Sequence, residues 1–166
     1  MKKKLFTFIF LFAIMLAALI IYFTNKSPST IAPFSNIVWG NTLENICESE
    51  GNTYENSLSI SGGYNYIYPK QYLGFDGYIQ YNIDDSNTLC GISWFCISND
   101  QQTSNKIYDS IKKDTISHLG KENDLDTSNV YTGKKWETKD SNIMLISFSQ
   151  NNEYAVQISY LLKEDD

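Results

Sequence analysis

Arginine is absent from this 166-residue chain: all thirteen basic residues are lysine. That removes the planar guanidinium fork, the usual means of gripping phosphate or carboxylate with two parallel hydrogen bonds. Histidine occurs once, as His118. A general base of that kind needs a nucleophile and an orienting acid, and no G-x-S-x-G or related nucleophile signature accompanies it. Cysteine occurs three times, at Cys47, Cys90 and Cys96, with no CxxC pair and no clustered histidine. A zinc site is therefore not expected. "DLDTSN" resembles the start of a calcium loop but lacks the glycine and closing glutamate of EF-hand spacing. The chain reads as non-enzymatic, with no catalytic residues, no metal and no cofactor.

Positive charge is scarce over most of the chain. From Glu44 onward lie all nineteen acidic residues, against nine lysines after Thr30, a balance of −10. Nucleic-acid binding rests on neutralising phosphates, so no nucleic-acid partner is expected, and anionic headgroups should be repelled. The same charge suits a basic protein partner or simply solubility.

What is present begins with "MKKK" and a nineteen-residue apolar run, Leu5–Phe23, whose most polar member is Thr7. As a helix it would span roughly 28 Å at ~1.5 Å per residue, close to the ~30 Å hydrocarbon core of a bilayer. Lys2, Lys3 and Lys4 place residues 1–4 in the cytoplasm by the positive-inside rule. The expected organisation is a transmembrane signal-anchor over 5–23, a linker over 24–35 and an extracytoplasmic domain over 36–166. Cleavage as a signal peptide is the alternative; the run is longer than a typical signal core, and "TIAP" is a poor cleavage site. No cysteine closely follows the run, which argues against a lipid anchor.

In the outer domain, "WGNTLENICESEG" reads as a short helix with Asn41 or Thr42 as cap, Asn41 with Glu44 as a capping-box variant, and Gly51 as its stop. Strands follow at "YNYIYPK", "GYIQYNI" and "TLCGISWFCI", the last two joined by "DDSN". "SNKIYDSIKKDTISHLG" is a second helix, with Ile107, Tyr108, Ile111, Thr115, Ile116 and Leu119 as its apolar stripe. "KENDLDTSN" reads as a loop, and "VYTGKKWET", "NIMLISFSQ" and "YAVQISYLL" as three more strands. The order α-βββ-α-βββ implies an α+β fold, an antiparallel sheet with both helices on one face. It also suggests an internal duplication: Ile79, Tyr81 and Ile83 match Met144, Ile146 and Phe148 at an offset of 65, and "ISWF" (92–95) matches "ISYL" (158–161) at 66.

Strand parity puts Cys90, Ile92, Trp94 and Cys96 on one face. The cysteines then stand where the second half has aliphatic residues, as small hydrophobes. A disulfide from Cys47 to Cys90 or Cys96 is the alternative for an oxidising exterior. Tyr64, Tyr66 and Tyr68 alternate along one strand and Tyr72, Phe75 and Tyr78 follow closely. These six form a candidate recognition surface, with core packing as the competing reading.

The Gly40, Thr42 and Glu44 pattern is similar to the G-x-T-x-E opening of the BamE/SmpA outer-membrane lipoproteins. The doubled helix-plus-sheet layout resembles the β-lactamase inhibitor protein, and the anchored outward domain resembles membrane-anchored immunity proteins of the TipC type. These resemblances imply a domain of the cell membrane that engages a protein partner, as inhibitor or immunity protein. An accessory component of a cell-envelope assembly is the alternative.

Overall fold

The computed structural model describes residues 30–59, 62–125 and 131–163. The expected transmembrane helix over 5–23 lies outside them; among the described residues no helix is long and apolar enough to cross a membrane. The elements run α1 (Leu43–Glu50), β1 (Glu55–Leu58), β2 (Tyr64–Pro69), β3 (Tyr78–Ile83), β4 (Leu89–Ser98), α2 (Gln101–Leu119), β5 (Asn123–Asp124), β6 (Tyr131–Glu137), β7 (Ser141–Gln150) and β8 (Glu153–Leu162). The eight strands form one antiparallel sheet in the order β1-β2-β3-β4-β8-β7-β6-β5. The fold is α+β, with two edge strands beyond the six expected. β1 is four exposed residues, and β5 is two residues inside the stretch read as a loop.

The sheet has a pseudo-twofold arrangement. In the central β4–β8 ladder Ser93 pairs with Ser159, Ile92 with Tyr160 and Trp94 with Ile158. Ser93 and Ser159 are equivalents at the offset of 66, so the pseudo-axis passes between their side chains, whose hydroxyl oxygens are 2.9 Å apart. The offset of 65 between β3 and β7 is corrected. Ile79 and Tyr81 face Trp94 and Ile92, whereas Ile143 and Leu145 face Tyr160 and Ile158, which makes the offset 64. The slip comes from unequal hairpins. β3 and β4 are joined by five residues, Asp84–Thr88, with a register shift beside them. β7 and β8 are joined by Asn151 and Asn152, both at positive φ, the conformation a two-residue hairpin turn demands. A slip of one residue exchanges the faces, so Ile143 and Leu145 are buried while Phe148 is exposed.

The core lies on one face of the sheet, where Ile79, Tyr81, Ile92, Trp94, Leu145 and Ile158 join Ile46 of α1 and Ile107 and Ile111 of α2 in one cluster. α2 is capped by Asp100, whose carboxylate accepts from the Gln102 and Thr103 N–H groups at 3.3 and 2.9 Å. Its stripe buries Ile107, Ile111 and Thr115, while Leu119 is exposed. At α1 the reciprocal contact is not Asn41 with Glu44. Thr42 is the N-cap, and the Asn45 side chain accepts from its N–H at 3.0 Å. The Asn41 side chain turns back to accept from Val38 N–H.

The larger departure concerns the expected linker. Ala32, Phe34, Ser35 and Ile37 are buried. The Phe34 ring meets Tyr72 and Tyr160 edge-on, with centroids 5.1 and 5.8 Å apart. Ala32, Phe34, Ser35 and Ile37 therefore belong to the packed domain, with Pro33 and Asn36 exposed between them.

Candidate functional site

The sheet face opposite the helices carries no covering element among the described residues. Its central row, Glu55, Ile67, Gln80, Ser93, Ser159, Met144, Lys135 and Asn123, is read directly from the strand registers. The two serines at its middle are buried by their neighbours, and Gln157 Nε2 donates to Ser159 Oγ at 2.8 Å. On one side of this largely polar row, toward the C-terminal end of β4, lie apolar groups that sheet parity keeps out of the core. Tyr78 stacks on Phe95 with centroids 5.5 Å apart and planes 26° from parallel. Ile97, at 61 % exposure, pairs across the sheet with Ala155, and Ala155 with Phe148, at 40 %.

Two clefts flank Tyr78 and Pro69. One, of about 650 Å³, runs past Lys70, Asp76, Tyr78 and Ile97. The other, of about 180 Å³, lies between Tyr54, Glu55, Ile67 and Tyr78. Gly77 lets β3 approach β4 closely there: a Cβ on it would stand 2.5 Å from the Trp94 ring. The indole N–H of Trp94 donates to Lys70 O at 2.9 Å, which holds the β2–β3 connection against the core.

The six aromatics proposed as one recognition surface do not lie together. Tyr66, Tyr68 and Tyr72 are buried core residues: β2 turns the parity of Tyr66 and Tyr68 toward α1, and Tyr72, in the connection after β2, bridges to Phe75. Tyr66 and Tyr68 pack against Tyr54, and Tyr72 against Phe34 and Trp94. Tyr64 shares their face but is half-exposed at the end of the strand, and Phe75 is half-buried under Lys106. Only Tyr78 stands on the open face. Phe95, Ile97 and Phe148 were missed there. The signal was available: apolar residues one position out of phase with Ile92, Trp94 and Cys96.

The three cysteines are free thiols, so the bridge from Cys47 to Cys90 or Cys96 is not formed. Cys47 Sγ lies 3.9 Å from the Tyr68 hydroxyl, and Cys96 is buried in the core. Cys90 departs from the regular pairing of β4. It is the extra residue of a β-bulge, with Ile83 paired to Leu89 and Asn82 to Gly91, so Leu89 takes the core position. The Cys90 thiol donates to Asn82 O at 3.3 Å. Burial pushes the pKa of both Cys90 and Cys96 up, which disfavours the reactive thiolate.

Beneath the sheet a polar cluster ties the N-terminal segment to the strands. The Tyr81 hydroxyl donates to Glu50 Oε1 at 2.7 Å and receives Ser35 Oγ–H at 2.9 Å. Lys70 Nζ meets both Glu50 oxygens at 3.0 and 3.1 Å. Burial, with the Glu50 carboxylate beside it, raises the Tyr81 pKa far above its ordinary value. Burial and the 2.8 Å bond to Asp114 do the same for Tyr72. His118 is exposed at the end of α2, with Nδ1 2.8 Å from Asp114 O and 3.2 Å from Ser117 Oγ. Its ring is engaged by its own helix, and the nearest hydroxyl shares that nitrogen rather than the free one. Among the described residues there is no group of three or more potential metal ligands.

Compared with family models, with curated proteins and with solved structures, the chain matches none of them.

Proposed function

We propose that this protein is a non-enzymatic, membrane-anchored binding domain outside the cytoplasmic membrane, and that its helix-free sheet face grips a protein partner. One observation carries the reading: Tyr78, Phe95, Ile97 and Phe148 stay on the uncovered face of a sheet whose other face already holds a complete core. Aromatic anchors set in a polar surround match the anatomy of protein-recognition patches. Gln157, paired with Phe95, and Gln80 in the adjoining row can supply hydrogen bonds without the desolvation cost of charges. The acidic balance of the domain favours a basic partner and faster encounter with it. An inhibitor or immunity protein would use such a face, as the resemblances to the β-lactamase inhibitor protein and TipC-type proteins imply.

A photo-crosslinking residue introduced at Ile97 or Phe148 in the cell tests this. One discrete protein adduct is expected from each, and none from the same residue at Lys113 on the exposed side of α2. Equal adducts at Lys113, or none at the sheet positions, would contradict it.

A further inference from the structure

Leu73 apart, the exposed large apolar side chains outside the open face gather at one end of the described domain. Leu58, Tyr64, Ile83 and Leu89 form one cross-strand row at the ends of β1–β4, and Leu162 ends β8 beside Ser141 of β7. In that end layer Leu58 is 76 % exposed, and Tyr64, Leu119 and Leu162 are each more than a third exposed. Half-buried Trp39 joins them, its indole N–H donating to Ser141 Oγ at 3.2 Å. α2 finishes here too, where Gly120 O accepts from Trp136 at the end of β6.

The chain also enters here. Thr30, Ile31 and Pro33 line a small cavity of about 200 Å³ with Thr115, Leu119 and Tyr160. Only six residues, 24–29, separate the apolar run Leu5–Phe23 from this packed entry. Fully extended they reach about 20 Å at ~3.3–3.6 Å each, and the packing of residues 31–37 adds nothing to that reach.

We propose that this end of the domain, carrying Trp39, Leu58, Tyr64, Leu119 and Leu162, rests on the interface of the bilayer that holds the anchor. The inference depends on Leu5–Phe23 being an uncleaved anchor. Trp and Tyr favour the interfacial zone because one end is apolar and the other polar. A six-residue tether holds these groups near the surface at high effective concentration. Charge does not drive the contact: Asp84, Asp85, Glu137 and Asp140 lie at the same end as Lys139 and Lys163, and Lys163 is paired with Glu137. The apolar groups drive the contact, and anionic lipid, which this net acidic end repels, does not strengthen it. With the strand ends down, the strands stand on the membrane and the open face looks sideways, toward a partner approaching along the surface.

The test uses the full chain in phosphatidylcholine vesicles with brominated acyl chains as short-range quenchers. Leu58→Trp and Ile97→Trp each add one indole to the same background of three tryptophans. Vesicle flotation is checked first, because a chain that does not float refutes the anchor and not the docking surface. In the floating protein, at least a twofold quenching of the added Leu58→Trp emission is expected, with little change for Ile97→Trp. Adding anionic lipid does not increase the quenching at either position. Equal quenching at the two positions, none at either, or quenching that appears only with anionic lipid would overturn the proposal. Twelve Gly-Ser residues inserted after Lys26 separate surface from tether: reduced but clear quenching of Leu58→Trp supports the docking surface, and a fall to the Ile97→Trp level overturns it.

Discussion

Replacing Phe34 by alanine should destabilise the outer domain as a core mutation does, although Phe34 sits in a stretch that reads as a linker. Its side chain is 6 % exposed and meets Tyr72 and Tyr160 edge-on. Truncating a buried Phe to Ala costs about 3–5 kcal/mol, through lost transfer energy and the cavity left behind. Edge-to-face contacts of this kind are worth roughly 0.5–1.5 kcal/mol each and belong to the same loss. Against a typical total of ~5–15 kcal/mol, that is a large fraction. With a urea m-value of roughly 1–3 kcal/mol/M for a small domain, the midpoint should fall by about 2 M. Pro33→Ala is the control, since Pro33 is exposed and surface changes usually stay within ~0.5 kcal/mol. Urea unfolding followed by tryptophan fluorescence measures both. If Phe34→Ala shifts the midpoint no further than Pro33→Ala, residues 31–37 are a tether after all and the packed entry is wrong.

Three further outcomes follow from the geometry. Gly77→Ala should cost about 1–3 kcal/mol by overpacking, because its Cβ would meet the Trp94 ring and Phe95 O at 2.5 and 2.6 Å; thermal unfolding reads it, and an unchanged Tm would refute the close approach. Ser159→Ala should cost more than Ser93→Ala: it orphans both Ser93 Oγ and Gln157 Nε2, whereas Ser93→Ala leaves Ser159 bonded to Gln157. The difference is about 1 kcal/mol, and a double-mutant cycle in urea checks it. Finally, Tyr72, Tyr81 and Tyr160 have raised pKa values in the fold, through burial first. Their stabilising contribution is full below the unfolded pKa near 10 and is lost as pH rises toward the folded values. Stability should therefore fall above about pH 10, by up to roughly 4 kcal/mol per pH unit for three such groups. Phenolate absorbance of these residues should appear together with unfolding; ionisation in a still-folded domain would contradict their burial.

Much of the architecture was legible because local rules and tertiary packing agree. The stripe of α2 at Ile107, Ile111 and Thr115 has helical period, and the hairpins at "DDSN" and "QNNE" carry their own turn chemistry. The Asp84 carboxylate accepts from the Ser86 and Thr88 N–H groups at 2.9 Å each, which closes the first hairpin locally. The elements that went unread lack a local signal. "ENSL" has no β-branched residue and becomes β1 only because β2 offers it a ladder. The bulge at Cys90 inserts one residue, so parity counted outward from Trp94 fails beyond Gly91. Residues 31–37 are short, irregular and proline-bearing, and only the space beside Tyr72, Tyr81 and Tyr160 packs Ala32, Phe34, Ser35 and Ile37 into the domain. For the candidate site, alternation alone cannot decide which of two apolar parities is buried: Tyr66 and Tyr68 and Tyr78 and Phe95 look equally like surface. The helices settle it by covering the side that holds Trp94.

The central claim is that the uncovered sheet face binds a protein. The most direct measurement is the affinity of the purified domain for the partner captured through residue 97, comparing Tyr78→Ala, Ile97→Ala and Lys113→Ala. Each sheet-face variant should weaken binding at least tenfold, which is ~1.4 kcal/mol, while Lys113→Ala stays within about twofold of the parent. Unchanged affinity in Tyr78→Ala and Ile97→Ala, with folding intact, would contradict it.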